Sequence, residues 1–303
     1  MFVGAMRAAA VPGSWYPGDE QMLCRAVDEH LASVEDAPRG DVAGFVAPHA
    51  GLVYSGAVAA YAYQAVAGRA YDVVVLVGLS HHVEFEGVAI YPRGWFDTPL
   101  GDVPVSTDIA DRLLARPCVR THPTAHVGEH SLEMQLPFLQ RVLPSVPVVP
   151  LLLGAHKREV ILAFGDALAE ALADVTPLIA ASTDLSHYLP ACQAEIRDRI
   201  VSDHVARFDA EGLLAEYERY PADRRGRCVA CGGVLWWQSC GPSLGWVRRR
   251  PGCCDTLIPV TYQERKAPWW GIWQRRSVGL SERLALVARL RAEVDSELSV
   301  RAC

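Results

Sequence analysis

Four apolar runs, spaced by segments long enough for helices, constrain this chain more than any other feature. Val42 to Ala47, Asp72 to Gly78, Val146 to Leu153 and Leu178 to Ser182 are rich in β-branched and other apolar residues. That is the pattern of strands buried on both faces. Ala-rich Ser55 to Val66 predicts a helix with Ser55 as its N-cap, and Lys157 to Ala173 predicts another. Strands alternating with helices in this way pair in parallel through crossovers. The expected fold is therefore α/β, a single domain with a central, mostly parallel sheet flanked by helices. Hydrophobic residues at 50% and charged residues at 21% supply an ordinary core and surface. In such sheets ligands sit beyond the carboxyl ends of the strands. His49, His81 and the Asp184/His187 pair each follow a predicted strand, so three segments deliver metal-type side chains to one edge.

Charge and patterning exclude several classes. The net charge is -6, and the one basic cluster, Arg248-Arg249-Arg250, is short, which argues against a nucleic-acid partner. No apolar run reaches the roughly 18 to 20 residues of a membrane span, and the first residues lack a charged segment followed by an apolar core. A cytoplasmic protein is expected, with its nine cysteines mostly reduced. No phosphate-loop or dinucleotide glycine pattern is present.

Three local motifs are weaker than they look. His126-Val-Gly-Glu129-His130 fits the H-x-x-E-H pattern of one class of zinc peptidase. That chemistry needs both histidines one helical turn apart, yet Gly128 weakens a helix there and Pro123 lies just upstream. A helix beginning near Gly128 or Glu129 leaves His126 outside it. Cys228-Val-Ala-Cys231, with Cys240 and Cys253-Cys254 beyond, suggests a zinc knuckle, but adjacent cysteines serve a tetrahedral site poorly. Ser80-His81 and Ser186-His187 lack a nucleophile elbow, and neighbouring Ser and His cannot form a triad together.

What remains is His49, His81, Asp184 and His187 at strand ends, with Glu129 and His130 at a predicted helix start. Imidazoles joined by one anionic ligand suit Fe(II), Zn(II) or Cu, and leave positions open for oxygen or substrate. The stretches Gly13-Ser-Trp-Tyr-Pro-Gly18, Ala47-Pro-His-Ala-Gly-Leu-Val-Tyr-Ser-Gly56, Gly78-Leu-Ser-His-His82, Glu129-His-Ser-Leu-Glu-Met-Gln-Leu-Pro-Phe138 and Ser182-Thr-Asp-Leu-Ser-His187 resemble the Memo family. Its bacterial members are called AmmeMemoRadiSam system protein B. The resemblance runs in order from about residue 7 to about residue 190.

That resemblance implies a fold similar to class III extradiol dioxygenases and a metal bound by two histidines and a cysteine. The histidines carry over to His49 and His81. The cysteine carries over to Cys228 by position or to Cys231 by its Cys-Gly pair, because Arg227-Cys-Val-Ala-Cys-Gly-Gly departs from the family pattern. Asp184, His187, Glu129 and His130 match positions around the pocket and are the candidate catalytic groups. The implied activity is O2-dependent oxidation of a small molecule or modified peptide, with Fe(II) the first choice of metal and copper or zinc the others. A non-catalytic binding protein and a metal-dependent hydrolase are the alternatives. The animal members are discussed as signalling adaptors as well as redox proteins. Residues 1–280 are expected to form the domain, divergent from about 224, and 281–303 a helical extension with Leu284, Leu286, Val287 and Leu290 on one face, able to cover the domain or pair in an oligomer.

Overall fold

The computed structural model describes residues 6–35, 41–154, 157–207, 209–219 and 272–275. Cys228, Cys231 and the expected C-terminal helix lie outside the described residues. In chain order the elements are β1 (Met6–Arg7), α1 (Glu20–Ala32), β2 (Asp41–Ala47), α2 (Leu52–Val66), β3 (Val73–Leu79), β4 (Val88–Ile90), β5 (Trp95–Phe96), β6 (Val103–Pro104), α3 (Thr107–Leu114) and β7 (Val119–Thr121). They continue with α4 (Pro123–His126), a 3-10 turn (Glu133–Gln135), α5 (Leu136–Val142), β8 (Val148–Leu153), α6 (Arg158–Ala171), β9 (Pro177–Ser182), α7 (Ala191–Ala206), α8 (Ala210–Glu218) and β10 (Ile272–Arg275).

The main sheet has the order β10-β2-β9-β3-β8-β4-β7 among the described residues. The pairs β2–β9, β9–β3, β3–β8 and β4–β7 are parallel, whereas β10–β2 and β4–β8 are antiparallel. A small second sheet joins β1, β5 and β6. This is the expected α/β architecture, mostly parallel and flanked by helices.

Every residue of β3 is buried, and its side chains alternate between two cores. Val73, Val75, Val77 and Leu79 face Ile109 and Leu113 of α3, Phe164 and Leu168 of α6, and Leu213 of α8. Val74 and Leu76 face Leu23 of α1, Tyr63 of α2 and Phe138 of α5. Helices thus cover both faces, as a parallel sheet requires. Among the described residues no helix is long and apolar enough to cross a membrane.

One boundary differs from the sequence expectation. Helix α2 starts at Leu52, a turn before Ser55, with Gly51 as its N-cap. The start is satisfied from outside the helix: the Leu52 N–H donates to the Trp15 carbonyl at 2.8 Å. Ser55 is buried inside the helix and donates to the Ala50 carbonyl at 2.8 Å. A tertiary hydrogen bond has replaced the side-chain cap, a substitution local sequence does not reveal.

Gly78 interrupts the β-branched run of β3 for a steric reason. A Cβ there would sit 2.7 Å from Ser131 Oγ and 2.8 Å from Leu132 Cδ2. Ser131 is fully buried and donates to the Leu79 carbonyl at 2.9 Å, so it has little room to retreat. Gly78→Ala is expected to destabilise the protein by about 1–3 kcal/mol through overpacking. An unchanged urea midpoint would show that the segment around Ser131 yields freely.

Candidate metal centre

The order β2-β9-β3 sets three strand ends side by side. Ala47 pairs with Ser182 and Val77 with Ala181, so the residues just past these positions share one edge. His49 follows β2, His81 follows β3, and Asp184 follows β9 between them. The turn between α4 and the 3-10 turn brings His130 to the same place. Nitrogen atoms of His49, His81 and His130 all lie within 4.8 Å of one another. The His81 and His130 rings are near-stacked at 4.4 Å, and the His49 ring stands edge-on to both, at 5.3 and 5.6 Å.

His49 is buried, and its backbone N–H donates to Asp184 Oδ1 at 2.6 Å. The same carboxylate oxygen accepts the Ala50 N–H at 3.1 Å, while Oδ2 lies 3.8 Å from His49 Nε2. Burial pushes the His49 pKa down to about 4, with the neighbouring imidazoles adding to the shift and Asp184 opposing it. His130 is likewise lowered to about 4, by burial first and His81 second. Both rings are therefore neutral at pH 7, the form that binds metal.

Glu129 organises the second corner. Burial raises its pKa, but hydrogen bonds from His81 and Ser131 outweigh that and hold it at about 2. Its carboxylate accepts the His81 N–H at 2.6 Å and the His130 and Ser131 N–H groups at 2.9 Å each. A carboxylate only accepts, so His81 Nδ1, 2.8 Å away, must carry a proton toward it. In the neutral imidazole this leaves the lone pair of His81 on Nε2. A carboxylate behind a histidine is the usual support for a metal-binding imidazole. The donor set thus fits a metal ion: three neighbouring imidazoles, the two with lowered pKa values neutral, and one of them with its tautomer set.

The segment carrying Glu129 and His130 is not a helix start. It follows α4 through Gly128, whose φ of +76° suits glycine, and the first helical residue after it is Glu133. What holds it is a buried ion pair. The Arg7 guanidinium pairs with Glu133 and donates to the Glu129 carbonyl, and its Nε donates to the His126 carbonyl at 3.1 Å. Glu133 also accepts the Ala10 and Val11 N–H groups and the Tyr16 hydroxyl, the last at 2.5 Å. Beside Tyr16, Trp15 lies against His130 with ring centroids 4.2 Å apart.

His126 ends α4 and does not reach the cluster. It is buried against Tyr91 and Phe96, with centroids at 5.6 and 6.4 Å. The H-x-x-E-H fit therefore marks no peptidase geometry. Burial, then Arg7, push the His126 pKa down to about 3, with Glu129 opposing and His122 adding a little. The unfolded imidazole takes up a proton below about pH 6.5, while the folded one waits until about pH 3. This group leaves stability untouched above pH 6.5 and subtracts from it as pH falls, by roughly 3 kcal/mol at pH 4. His126→Leu should flatten the pH dependence of the urea midpoint between pH 6.5 and 4. An identical slope in variant and parent would overturn this.

His187 lies on the loop after β9, where its Nδ1 donates to the Leu185 carbonyl at 2.8 Å, and it is outside the three-imidazole group. Leu185 and Tyr188 on that loop have φ of +60° and +61°, a conformation that non-glycine residues seldom adopt. Ser186 N–H anchors the loop to Asp198 at 3.1 Å. Tyr188, its ring 5.9 Å from that of His187, is 91% exposed and Tyr54 83% exposed, on two segments that lead away from the cluster. Ser182, Gln135, Trp15 and the Arg7–Glu133 pair carry no role in the sequence reading. Trp15, Glu133, Gln135 and Ser182 stand in the stretches that resemble the Memo family, and three of them also show as polarity inside apolar runs: Ser182 closes an apolar strand, and Glu133 and Gln135 interrupt a buried stretch.

The sequence model of the Memo-like protein family matches residues 7–233. A MEMO1 family protein of Methanopyrus kandleri is 32% identical over 252 residues, covering 79% of this chain and 89% of the relative. One from Aquifex aeolicus is 32% identical over 243 residues, covering 80% and 90%. One from Thermotoga petrophila is 34% identical over 225 residues, covering 70% and 80%. The matched span takes in His49, His81, Glu129, His130 and Asp184 together with the strands that present them, and the chain belongs to the Memo family.

Proposed function

We propose that this chain is a metal-dependent redox enzyme that holds non-heme Fe(II) and oxidises a small molecule or modified peptide with O2. The observation that carries the reading is the three-imidazole cluster at the carboxyl edge of the sheet, with an ionised carboxylate behind His81. His49 and His81 would bind the ion, and a thiolate from Cys228, or from Cys231, would supply the anionic ligand. When bound, Fe(II) would supply one-electron redox chemistry toward oxygen, and a thiolate ligand would lower its potential. Glu129 orients His81. Asp184 orients His49 through its backbone and fixes the loop that leads to His187. His130, stacked on His81 and beside Trp15, would carry a proton at the pocket wall. His187 offers a second imidazole for proton transfer.

The test is O2 uptake by the Fe(II)-loaded protein offered catechols, thiols and peptides. Sustained uptake that disappears in His49→Ala supports the reading. Stoichiometric iron with no uptake beyond the buffer overturns it. One observation favours a second reading: among the described residues the three grouped donors are all imidazoles, a set that also holds a zinc-bound water. A zinc hydrolase predicts turnover that is indifferent to oxygen.

A further inference from the structure

We propose that Gln135 and Ser182 are positioning residues for this metal site. They fix His49 as the tautomer with its proton on Nδ1, so that Nε2 turns its lone pair toward the ion. The proposal rests on the metal-binding reading above and adds the device that prepares its most buried ligand.

One chain of buried groups leads from Tyr63 to His49. The Tyr63 hydroxyl lies 2.5 Å from Gln135 Oε1, and Gln135 Nε2 lies 2.8 Å from the Pro48 carbonyl. A carbonyl only accepts, so the NH2 end of Gln135 must face Pro48, and the amide orientation is settled. The second proton of that NH2 goes to Ser182 Oγ at 2.8 Å. Ser182 has a single proton, and the Ser131 carbonyl, 2.5 Å away, can only accept it. The remaining lone pair of Oγ faces His49 Nδ1 at 2.9 Å. His49 must then donate from Nδ1, and Nε2 is left unprotonated.

Burial turns this preference into a lock. Tyr63, Ser131 and Ser182 are fully buried, and Gln135 and His49 are 1% and 2% exposed. Bulk solvent does not reach these groups to repair a mismatch. The opposite tautomer would need the Ser182 proton for Nδ1, leaving the Ser131 carbonyl without a partner. It would also point an N–H at the ion. Ser131 gives its own N–H to Glu129, so this residue touches the supports of both His49 and His81.

The first measurement is a two-bond proton–nitrogen correlation spectrum of the metal-free, full-length chain at pH 7, with 15N in the histidines. Peaks of His49 are assigned by their loss in His49→Ala. A His49 protonated on Nδ1 is expected. The second is Zn(II) affinity by chelator competition. Ser182→Ala is expected to bind Zn(II) about 10–100-fold more weakly and to lose the fixed tautomer. Ser182→Thr keeps the hydroxyl and is expected to restore both. A wild-type chain that binds Zn(II) with His49 protonated on Nε2 overturns the proposal alone, and that result depends on no variant folding. Ser182→Ala with unchanged tautomer and affinity also overturns it. A wild-type chain that takes up no Zn(II) overturns this proposal and the metal reading together. A chain that passes both tests but consumes no O2 overturns only the oxidase reading.

Discussion

His81→Ala is expected to weaken Zn(II) or Fe(II) binding by about two orders of magnitude, measured by chelator competition. A closed four-ligand zinc site is worth about 10–16 kcal/mol, so one ligand's share is roughly 3 kcal/mol, or more than a hundredfold. The variant should fold normally. The His81 backbone N–H stays in place, and with those of His130 and Ser131 it still satisfies the buried Glu129 carboxylate. Removing only the support, by Glu129→Gln, should cost less, about 10–100-fold. His82, exposed and with its ring 6.1 Å from His130, is the neighbouring control. Unchanged affinity in His81→Ala would remove this residue from the site.

Glu133→Ala is expected to lower stability by about 3–5 kcal/mol, the usual cost of stranding one member of a buried ion pair. Arg7 is 4% exposed, and Glu133 is its counter-charge in the fold. The same carboxylate fixes the Ala10 and Val11 N–H groups and the Tyr16 hydroxyl, so four donors lose their acceptor at once. Arg93→Ala provides the contrast. Its pair with Asp111 is about half exposed on both sides, and such a pair is worth at most about 1 kcal/mol. If urea unfolding places Glu133→Ala within 1 kcal/mol of the parent, the clamp is not the anchor its burial suggests.

The architecture was legible because the strands are buried on both faces. Val73 to Leu79 can hide seven consecutive apolar residues only inside a covered sheet, and the structure places it at the centre of the seven described strands. His49, His81 and Asp184 were legible for the same reason: a strand end is visible in sequence, and the edge it reaches follows from parallel pairing. His130 was visible as a pocket residue, yet nothing local says that it meets His49 and His81. Its position depends on Gly128 turning the chain and on Arg7, more than 120 residues earlier, holding the turn. Contacts of that kind leave no periodicity. The start of α2 was missed on similar grounds, since its first N–H is satisfied by Trp15.

The strand order has a consequence for synthesis. His49, His81 and His130 have all left the ribosome some fifty residues before β9 is complete, yet β9 is the strand that lies between β2 and β3. A nascent chain released as far as Gln135 carries every imidazole of the cluster but not the spacer that sets their separation. It also lacks Ser182 and Asp184, which hold His49. Any ion caught at that stage would meet a different arrangement of nitrogens. Assembly of the three-imidazole group is thus deferred until the middle strand is threaded into place, and the completed sheet, more than the presence of the histidines, decides when the group begins to exist.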